Sequence, residues 1–249
     1  VRHNVMKRDG SYELRESETL YGKYNELATY NSKNYAGFKF NESKTTVNQS
    51  DYVITDSNKV IDLYYDLVEY NYRVEYLTKD VNGNTYTLRD SYTRGAYYND
   101  SVTADDKNYT GFKYEKTEYT KNDEVISSNL VTDNELVIKV YYVRENYNYK
   151  VEHYQKNLDG SWNLVDTDKY NDKAFGSKVV YETNSYNGFL YDSSLDVNTD
   201  IKTVPANNDL VIKLYYVRGN YNYKVEHYQE NLDGSWNLVD TDKYNDKAF

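Results

Sequence analysis

Apolar and polar residues alternate along this chain with the period of a β-strand. In Tyr147–Gln155, the side chains of Tyr149, Val151 and His153 face one way and the polar residues between them face the other. This pattern is typical of a half-buried strand. The turn sequence Leu-Asp-Gly-Ser follows, and Asp-Gly between two β-segments indicates a hairpin. The next segment, Ser161–Asp168, is therefore predicted to be the returning strand.

A second alternating segment, Leu210–Arg218, is predicted to be a closing strand. Ile212, Leu214 and Tyr216 face one side, and Lys213 lies on the other. The position of Lys213 holds an aspartate in one related stretch of the chain and a lysine in another, and a charge that reverses sign belongs in water. The Ile-Leu-Tyr face is therefore the predicted buried face.

The region between the two alternating segments contains a polar, glycine-led stretch at Phe175–Thr183 and the motif Tyr-x-Gly-Phe at Tyr186–Phe189. The glycine predicts a turn followed by a short helix or strand, and the motif predicts a turn into another strand. The whole unit is expected to be mostly β, in the α+β class, with at most one short helix.

These elements recur as a tandem repeat. The opening strand appears at Tyr72, Tyr149 and Tyr223, at intervals of 77 and 74 residues, and the other two landmarks also appear three times. The predicted repeats, numbered 1 to 4 below, span 1–69, 70–146, 147–220 and 221–249. Repeat 1 is expected to lack its beginning and repeat 4 its end, as in a fragment of a longer array.

Repeats 3 and 4 are nearly identical where they overlap. Arg144–Phe175 and Arg218–Phe249 differ at two of 32 positions, Glu145 against Gly219 and Lys156 against Glu230. This identity indicates a recent duplication within the gene.

The joints between repeats are short. About two residues separate a closing strand from the next opening strand, without a proline or a Ser/Gly tract. A flexible linker needs a longer stretch of such residues, so neighbouring repeats are expected to contact each other and form an elongated, stiff rod.

Composition narrows the possible functions. A net charge of -10 and an isoelectric point near 4.9 disfavour nucleic acid and anionic membranes as partners. The absence of cysteine excludes disulfides and thiolate chemistry. No apolar run approaches the roughly 20 residues of a membrane-spanning helix.

The candidate chemical groups favour structural roles. His3, His153 and His227 share one repeat position, where repeat 2 has Tyr76, so an aromatic structural position is favoured over a metal or acid–base site. The turn at Asp80–Tyr86 resembles a calcium loop, but a hairpin is favoured because the distant bidentate glutamate is missing. No catalytic motif, cofactor site or metal site is predicted, and the chain is not expected to be an enzyme.

Tyrosine is the remaining functional signal, with 33 residues in the chain. Tyr64, Tyr141 and Tyr215 occupy one position of the closing strands and are predicted to point away from the buried face. They are the candidate ligand contacts, because a phenol ring can stack on a sugar. The alternative is that tyrosine simply forms strands well and tolerates water at its hydroxyl.

The Tyr-x-Val opening strand, the Asp-Gly hairpin, the Tyr-x-Gly-Phe motif and the closing strand that ends in Tyr-Tyr-Val resemble the mucin-binding-protein (MucBP) repeats. They also resemble the related internalin B-repeats of Gram-positive bacterial surface proteins. The resemblance covers essentially the whole chain. It implies β-grasp-like, ubiquitin-like modules in tandem, at the extracellular surface or cell wall of a bacterium.

The sequence and this resemblance together lead to one expectation and two alternatives. We expect a non-catalytic stalk and adhesive region that extends a distal domain and makes weak multivalent contacts to host mucin or other glycoproteins. One alternative is a dedicated array in which each repeat binds a host protein, such as an immunoglobulin, or a glycan. The other is an accessory region of a cell-wall hydrolase, which would require a catalytic domain elsewhere in the gene.

Overall fold

A computed structural model describes residues 1–45, 52–55, 59–83 and 85–248. The chain divides into two compact units. The first contains 1–78, 86–107 and 114–142, and the second contains 79–85, 108–113 and 143–249. Strands account for 55% of the described residues and helices for 3%, which confirms a mostly β structure.

The first unit contains one four-stranded sheet and most of a five-stranded sheet. The four-stranded sheet has the order β2-β1-β4-β3, and the five-stranded sheet has the order β6-β5-β9-β7-β8. The elements are β1 (Arg2–Met6), β2 (Tyr12–Ser17), β3 (Phe38–Phe40), α1 (Glu42–Thr45), β4 (Asp62–Leu67), β5 (Glu69–Lys79), β6 (Tyr86–Tyr97), β7 (Phe112–Lys121), β8 (Glu124–Ile126) and β9 (Leu136–Arg144).

The second unit contains another four-stranded sheet, of order β11-β10-β13-β12, and a hairpin of β14 and β15. Its elements are β10 (Asn146–Lys156), β11 (Trp162–Ala174), β12 (Phe189–Tyr191), a 3-10 turn (Ser193–Leu195), β13 (Val211–Arg218), β14 (Asn220–Glu230) and β15 (Trp236–Ala248). The strands of each sheet fall within one predicted repeat, except for the single residues Glu69, Asn146 and Asn220 at the borders.

The opening and closing strands of repeats 1 to 3 are parallel neighbours at the centre of each sheet. The opening strands of repeats 1, 3 and 4 form antiparallel hairpins with the strand after them, as the turn sequences predict, and β5 lies next to β6 in repeat 2. Gly160 adopts the left-handed φ of 87° in the hairpin of repeat 3. A glycine tolerates this conformation without steric cost.

The core of each sheet lies on the face that the alternation predicts. In repeat 3, Ile212 and Leu214 are fully buried and Tyr216 is 1% exposed, while Lys213 and Tyr215 on the other face are half-buried. The prediction of the buried face is confirmed. The burial of apolar surface, which contributes about 25 cal/mol per Å², is the main stabilising contribution in these cores.

The prediction of a helix or strand directly after the glycine-led turn is wrong. In repeat 3, the segment 177–188 contains only an isolated bridge, between Lys178 and Thr203. Val179 and Val204 are buried there, and the Val179 amide donates to Lys202 O at 2.9 Å. The two short extended segments around Lys178 and Thr203 cover the core. Each has a single buried valine and lacks the row of apolar residues, three or four positions apart, that a helix would bury. The short helix α1 instead follows β3.

Candidate functional site

The three candidate tyrosines, Tyr64, Tyr141 and Tyr215, occupy equivalent places on the closing strands. Each directly precedes a buried tyrosine and is itself half-buried on the opposite face of its sheet. We call this face, opposite the core, the outer face.

Each candidate tyrosine packs against one aromatic ring from the returning strand of its own hairpin. The ring planes are nearly perpendicular, a favourable edge-to-face arrangement. The pairs, with their centroid separations, are Tyr64 with Tyr12 (5.0 Å), Tyr141 with Tyr86 (5.0 Å) and Tyr215 with Trp162 (4.7 Å). The partners were not among the predicted site residues, although each comes first in its returning strand after the hairpin turn, a position visible in the sequence.

A lysine ammonium group lies close to the aromatic pair in each of these repeats. In repeat 1, Lys44 Nζ is 4.6 Å from the ring centre of Tyr12 and 5.0 Å from that of Tyr64. In repeat 2, Lys116 Nζ is 4.9 Å from the ring of Tyr141. These are cation–π distances, so the outer face combines aromatic rings with positive charge.

The phenol groups of the pairs donate hydrogen bonds to nearby carboxylates. The hydroxyl of Tyr12 donates to Asp66, and that of Tyr86 donates to Glu115. Burial and the Asp66 bond raise the pKa of Tyr12 to about 12. The Glu115 bond, followed by burial, raises the pKa of Tyr86 to about 12. These tyrosines are therefore protonated and neutral at physiological pH.

Repeat 3 adds a third ring to its pair. Tyr154 stacks on Tyr215 at 5.3 Å with an interplanar angle of 22°, and its hydroxyl donates to Glu152 at 2.7 Å. The Glu152 bond and, next, burial raise the pKa of Tyr154 to about 12. The outer face of repeat 3 therefore has the largest aromatic cluster, formed by Trp162, Tyr154 and Tyr215.

The histidines of repeats 1 and 3 lie inside the core. His153 is fully buried, with Nδ1 3.0 Å from the Tyr216 hydroxyl and Nε2 3.1 Å from Asp168 Oδ2. The Tyr216 oxygen already accepts the Asn184 amide at 2.8 Å, so its proton is available to His153 Nδ1. These contacts assign the tautomer with a proton on Nε2, which donates to Asp168.

Repeat 1 contains the same network. His3 lies between the Tyr65 hydroxyl at 2.9 Å and Glu18 at 3.3 Å, and the Lys33 amide donates to the Tyr65 oxygen. The hydrogen bond from His3 lowers the pKa of Glu18, which burial opposes. The predicted structural role agrees with this burial at His3 and His153, whereas His227 in repeat 4 is exposed, with Nε2 3.0 Å from Asp242 Oδ2.

Repeat 2 replaces two members of the network together. Tyr76 takes the histidine position and is fully buried, and Tyr92 takes the position of Asp168; their ring centres are 6.1 Å apart. Tyr142, the counterpart of Tyr216, donates instead to Lys107 O at 2.8 Å. This paired change is visible when the returning strands are aligned, with Tyr92 at the position of Asp168 and Glu18, but it is not among the sequence predictions.

No group of three or more His, Asp and Glu side chains among the described residues is arranged to hold a metal ion. The calcium-like turn closes through a hydrogen bond from Thr85 Oγ1 to Asp80 Oδ2 at 2.7 Å; its Asn84 lies outside the described residues. Within the same described ranges, no helix has the length and apolar character needed to cross a membrane.

The joints between repeats have one recurring geometry. A single residue, Val68, Glu145 or Gly219, separates each closing strand from the next opening strand. Its amide always donates to the carbonyl of the glycine in the preceding Tyr-x-Gly-Phe motif. The three bonds are Val68 N to Gly37 O (2.9 Å), Glu145 N to Gly111 O (2.9 Å) and Gly219 N to Gly188 O (2.8 Å), and each lies within one compact unit.

In the first two joints, an aromatic ring from the following repeat covers this glycine. Tyr98 packs on Gly37, and Phe175 packs on Gly111; a Cβ atom at either glycine would overlap the ring. Arg144 completes the second joint, because its guanidinium donates to Lys79 O at 2.9 Å and to Phe175 O at 2.8 Å. The glycine of the motif is thus required by its left-handed φ, near 80° at both positions, and by this close approach.

Comparison with known proteins gives little further information. No family model and no curated protein matches the chain. Three solved chains match. One, described as the Bacillus anthracis TIE protein, is 11% identical with a TM-score of 0.29, and the match covers 75% of this chain and 43% of that one. The chain therefore spans less than half of that structure.

Proposed function

We propose that this chain is a non-catalytic stalk and adhesive segment of a bacterial cell-surface protein. Its repeats would hold a distal domain away from the cell wall and make weak, multivalent contacts to host glycoproteins such as mucin. The observation that carries the proposal is the joint. The one-residue connection and its amide-to-glycine bond recur at all three joints, and a short connection that repeats in this way supports the proposal of a regular spacer.

The module type that we propose is β-grasp-like. The strand order of repeat 2, counted from its first strand, is 2-1-5-3-4, with the first and last strands parallel at the centre. Repeats 1 and 3 have the order 2-1-4-3 around the same parallel pair. This mixed sheet around a central parallel pair supports the proposal, with extended segments in the place of the covering helix.

Two observations support the non-catalytic and adhesive parts. Two of the three histidines, the residue type best suited to proton transfer near neutral pH, are fully buried at His3 and His153, while His227 in repeat 4 is exposed. The outer-face aromatic pairs recur in three repeats, and repetition turns a weak contact into avidity. The surface location rests on the resemblance to MucBP and internalin B-repeats.

Small-angle scattering of the whole chain tests the stalk. We expect a radius of gyration well above about 18 Å, the value for a compact globule of 249 residues. A radius near that value would refute the rod and the spacer function with it.

Two glycine variants test the role of the joint. Gly111→Ala adds a Cβ to a left-handed residue, at a cost of about 1–2 kcal/mol, and overlap with Phe175 adds about 1–3 kcal/mol. Gly160→Ala is the matched control, because its φ is 87° but the space around it is open. We expect faster amide exchange around Glu145 only in Gly111→Ala, and equal effects of both variants would contradict the joint's role.

Mucin capture, with and without glycan removal, tests the adhesive part. We expect weak retention that increases with repeat number and falls after deglycosylation. Tight binding of one protein partner per repeat would instead favour the dedicated ligand-binding array.

A further inference from the structure

The outer face of repeat 3 differs from those of repeats 1 and 2 in its aromatic content. Trp162 stands where repeats 1 and 2 have Tyr12 and Tyr86, and Tyr154 stands where they have Asn4 and Leu77. Repeat 4 has the same residues as repeat 3, Trp236 and Tyr228. Tyr215 lies between the two rings, 5.3 Å from Tyr154 and 4.7 Å from Trp162. All three rings are half-buried, so each is held by its neighbours and keeps part of its surface in contact with solvent.

Two ammonium groups adjoin these rings. Lys156 Nζ is 5.8 Å from the ring centre of Trp162, and Lys213 Nζ is 5.4 Å from that of Tyr154. Among the ion pairs of the described residues, none within 4.0 Å involves either lysine. The nearby carboxylate of Glu152 is already occupied by Lys150, at 2.6 Å, and by the Tyr154 hydroxyl.

This local positive charge stands out in a chain with a net charge of -10. Aromatic rings offer flat surfaces that suit the apolar C–H face of a pyranose, with a polar rim for its hydroxyls. Lysines without an ion-pair partner beside such rings suit an anionic substituent on the same sugar.

We propose that the outer face of repeat 3 binds an acidic sugar, a pyranose that carries a carboxylate or a sulfate group. The sugar ring stacks on the exposed surface of Trp162 and Tyr215, and its anionic group pairs with Lys156 and Lys213. This inference rests on the proposed adhesive function and names the ligand class for one of its sites.

The chain contains its own comparison for the charge. Repeat 4 has the same opening hairpin except that Glu230 replaces Lys156. Within the strands and turn of the two hairpins, this is the one difference in sequence, and it lies beside Trp162 of the aromatic cluster. Lys156→Glu is therefore a substitution that this hairpin already carries elsewhere in the chain.

Tryptophan emission provides a direct assay. The chain has two tryptophans, so Trp236→Phe in the full chain leaves Trp162 as the only indole. We would titrate this protein with sialyllactose, with a sulfated galactose disaccharide and with neutral lactose. We expect saturable changes in Trp162 emission with at least one acidic sugar, and roughly fivefold weaker or undetectable binding of lactose, which lacks the anionic group.

Two charge variants in that background complete the test. Lys156→Glu should weaken acidic-sugar binding roughly fivefold or more and leave any lactose binding unchanged. Lys202→Glu, the same charge change in the exposed loop before β13, should bind like the parent. Equal binding of lactose and both acidic sugars, equal losses in the two variants, or no saturable response to any sugar would overturn the proposal. The scattering test of the stalk is independent of these results.

Discussion

Replacing His153 by tyrosine should destabilise repeat 3, and replacing Asp168 as well should recover only part of the loss. His153 is fully buried, with Nδ1 3.0 Å from the Tyr216 hydroxyl, and Tyr216 is only 1% exposed. In the tautomer assigned from the Asp168 contact, Nδ1 accepts the proton of that hydroxyl. A tyrosine ring offers no nitrogen acceptor, so the buried hydroxyl loses its partner at a cost of about 1–3 kcal/mol. The larger side chain adds about 1–3 kcal/mol of overpacking, which gives a total of about 2–6 kcal/mol for His153→Tyr.

The double variant His153→Tyr/Asp168→Tyr should recover part of this loss. It reproduces the pair Tyr76 and Tyr92 of repeat 2, whose ring centres lie 6.1 Å apart. Residues in direct contact commonly show coupling of about 0.5–3 kcal/mol. We expect a favourable coupling of about 1–2 kcal/mol, within that range.

Amide hydrogen exchange on the full chain measures these changes. Peptides from β10 and β13 report the opening free energy of repeat 3, and peptides from β5 and β9 serve as an unchanged internal reference. If the double variant is destabilised by the sum of the single losses, the two positions do not act as one network, and the reasoning fails. A single variant that exchanges like the wild type would also refute it.

Three further predictions follow from burial and local contacts. Leu214→Ala should cost about 2–5 kcal/mol in thermal or denaturant unfolding because Leu214 is fully buried, while Leu164→Ala, at a position 47% exposed, should stay within about 0.5 kcal/mol. Burial and, next, the hydrogen bond to Glu118 raise the pKa of Tyr141 to about 12. The stabilising contribution of the Tyr141 hydroxyl should therefore be complete below the ordinary tyrosine pKa of about 10 and disappear as the pH rises through 12. A phenolate absorbance titration that compares the wild type with Tyr141→Phe measures this. Gly219→Glu introduces the residue found at the preceding joint, where Glu145 accepts a hydrogen bond from a tyrosine hydroxyl at 2.7 Å. Amide hydrogen exchange at the last joint should therefore slow by a small factor. Faster exchange would show that the joint needs a glycine at position 219.

Local sequence determined the strands, their hairpins and the face that each strand buries. The period of two puts Ile212 and Leu214 on one face and Lys213 on the other, because successive side chains of a strand point to opposite faces. The charge at the Lys213 position then places that face in water and the Ile-Leu face in the core. The Asp-Gly turns could also be predicted from the sequence, because a turn depends on only a few neighbouring dihedral angles. The segment after the glycine-led turn was predicted wrongly because its extended shape depends on pairing with a distant loop, at Lys178 and Thr203.

Only the tertiary structure decided which side chains meet. The partnership of His153 with Asp168, and that of Tyr215 with Trp162, join residues from different strands whose register local patterns do not specify. The near-identical hairpins β10-β11 and β14-β15 show directly that local sequence does not determine burial. Tyr149 in β10 is 3% exposed, while its counterpart Tyr223 in β14 is 53% exposed. The sequence around them is the same, but β10 pairs with β13, whereas in the part of the chain that the structure describes β14 pairs only with β15. Burial is a property of the partner strand as well as of the residue, and the partner lies far away in the sequence.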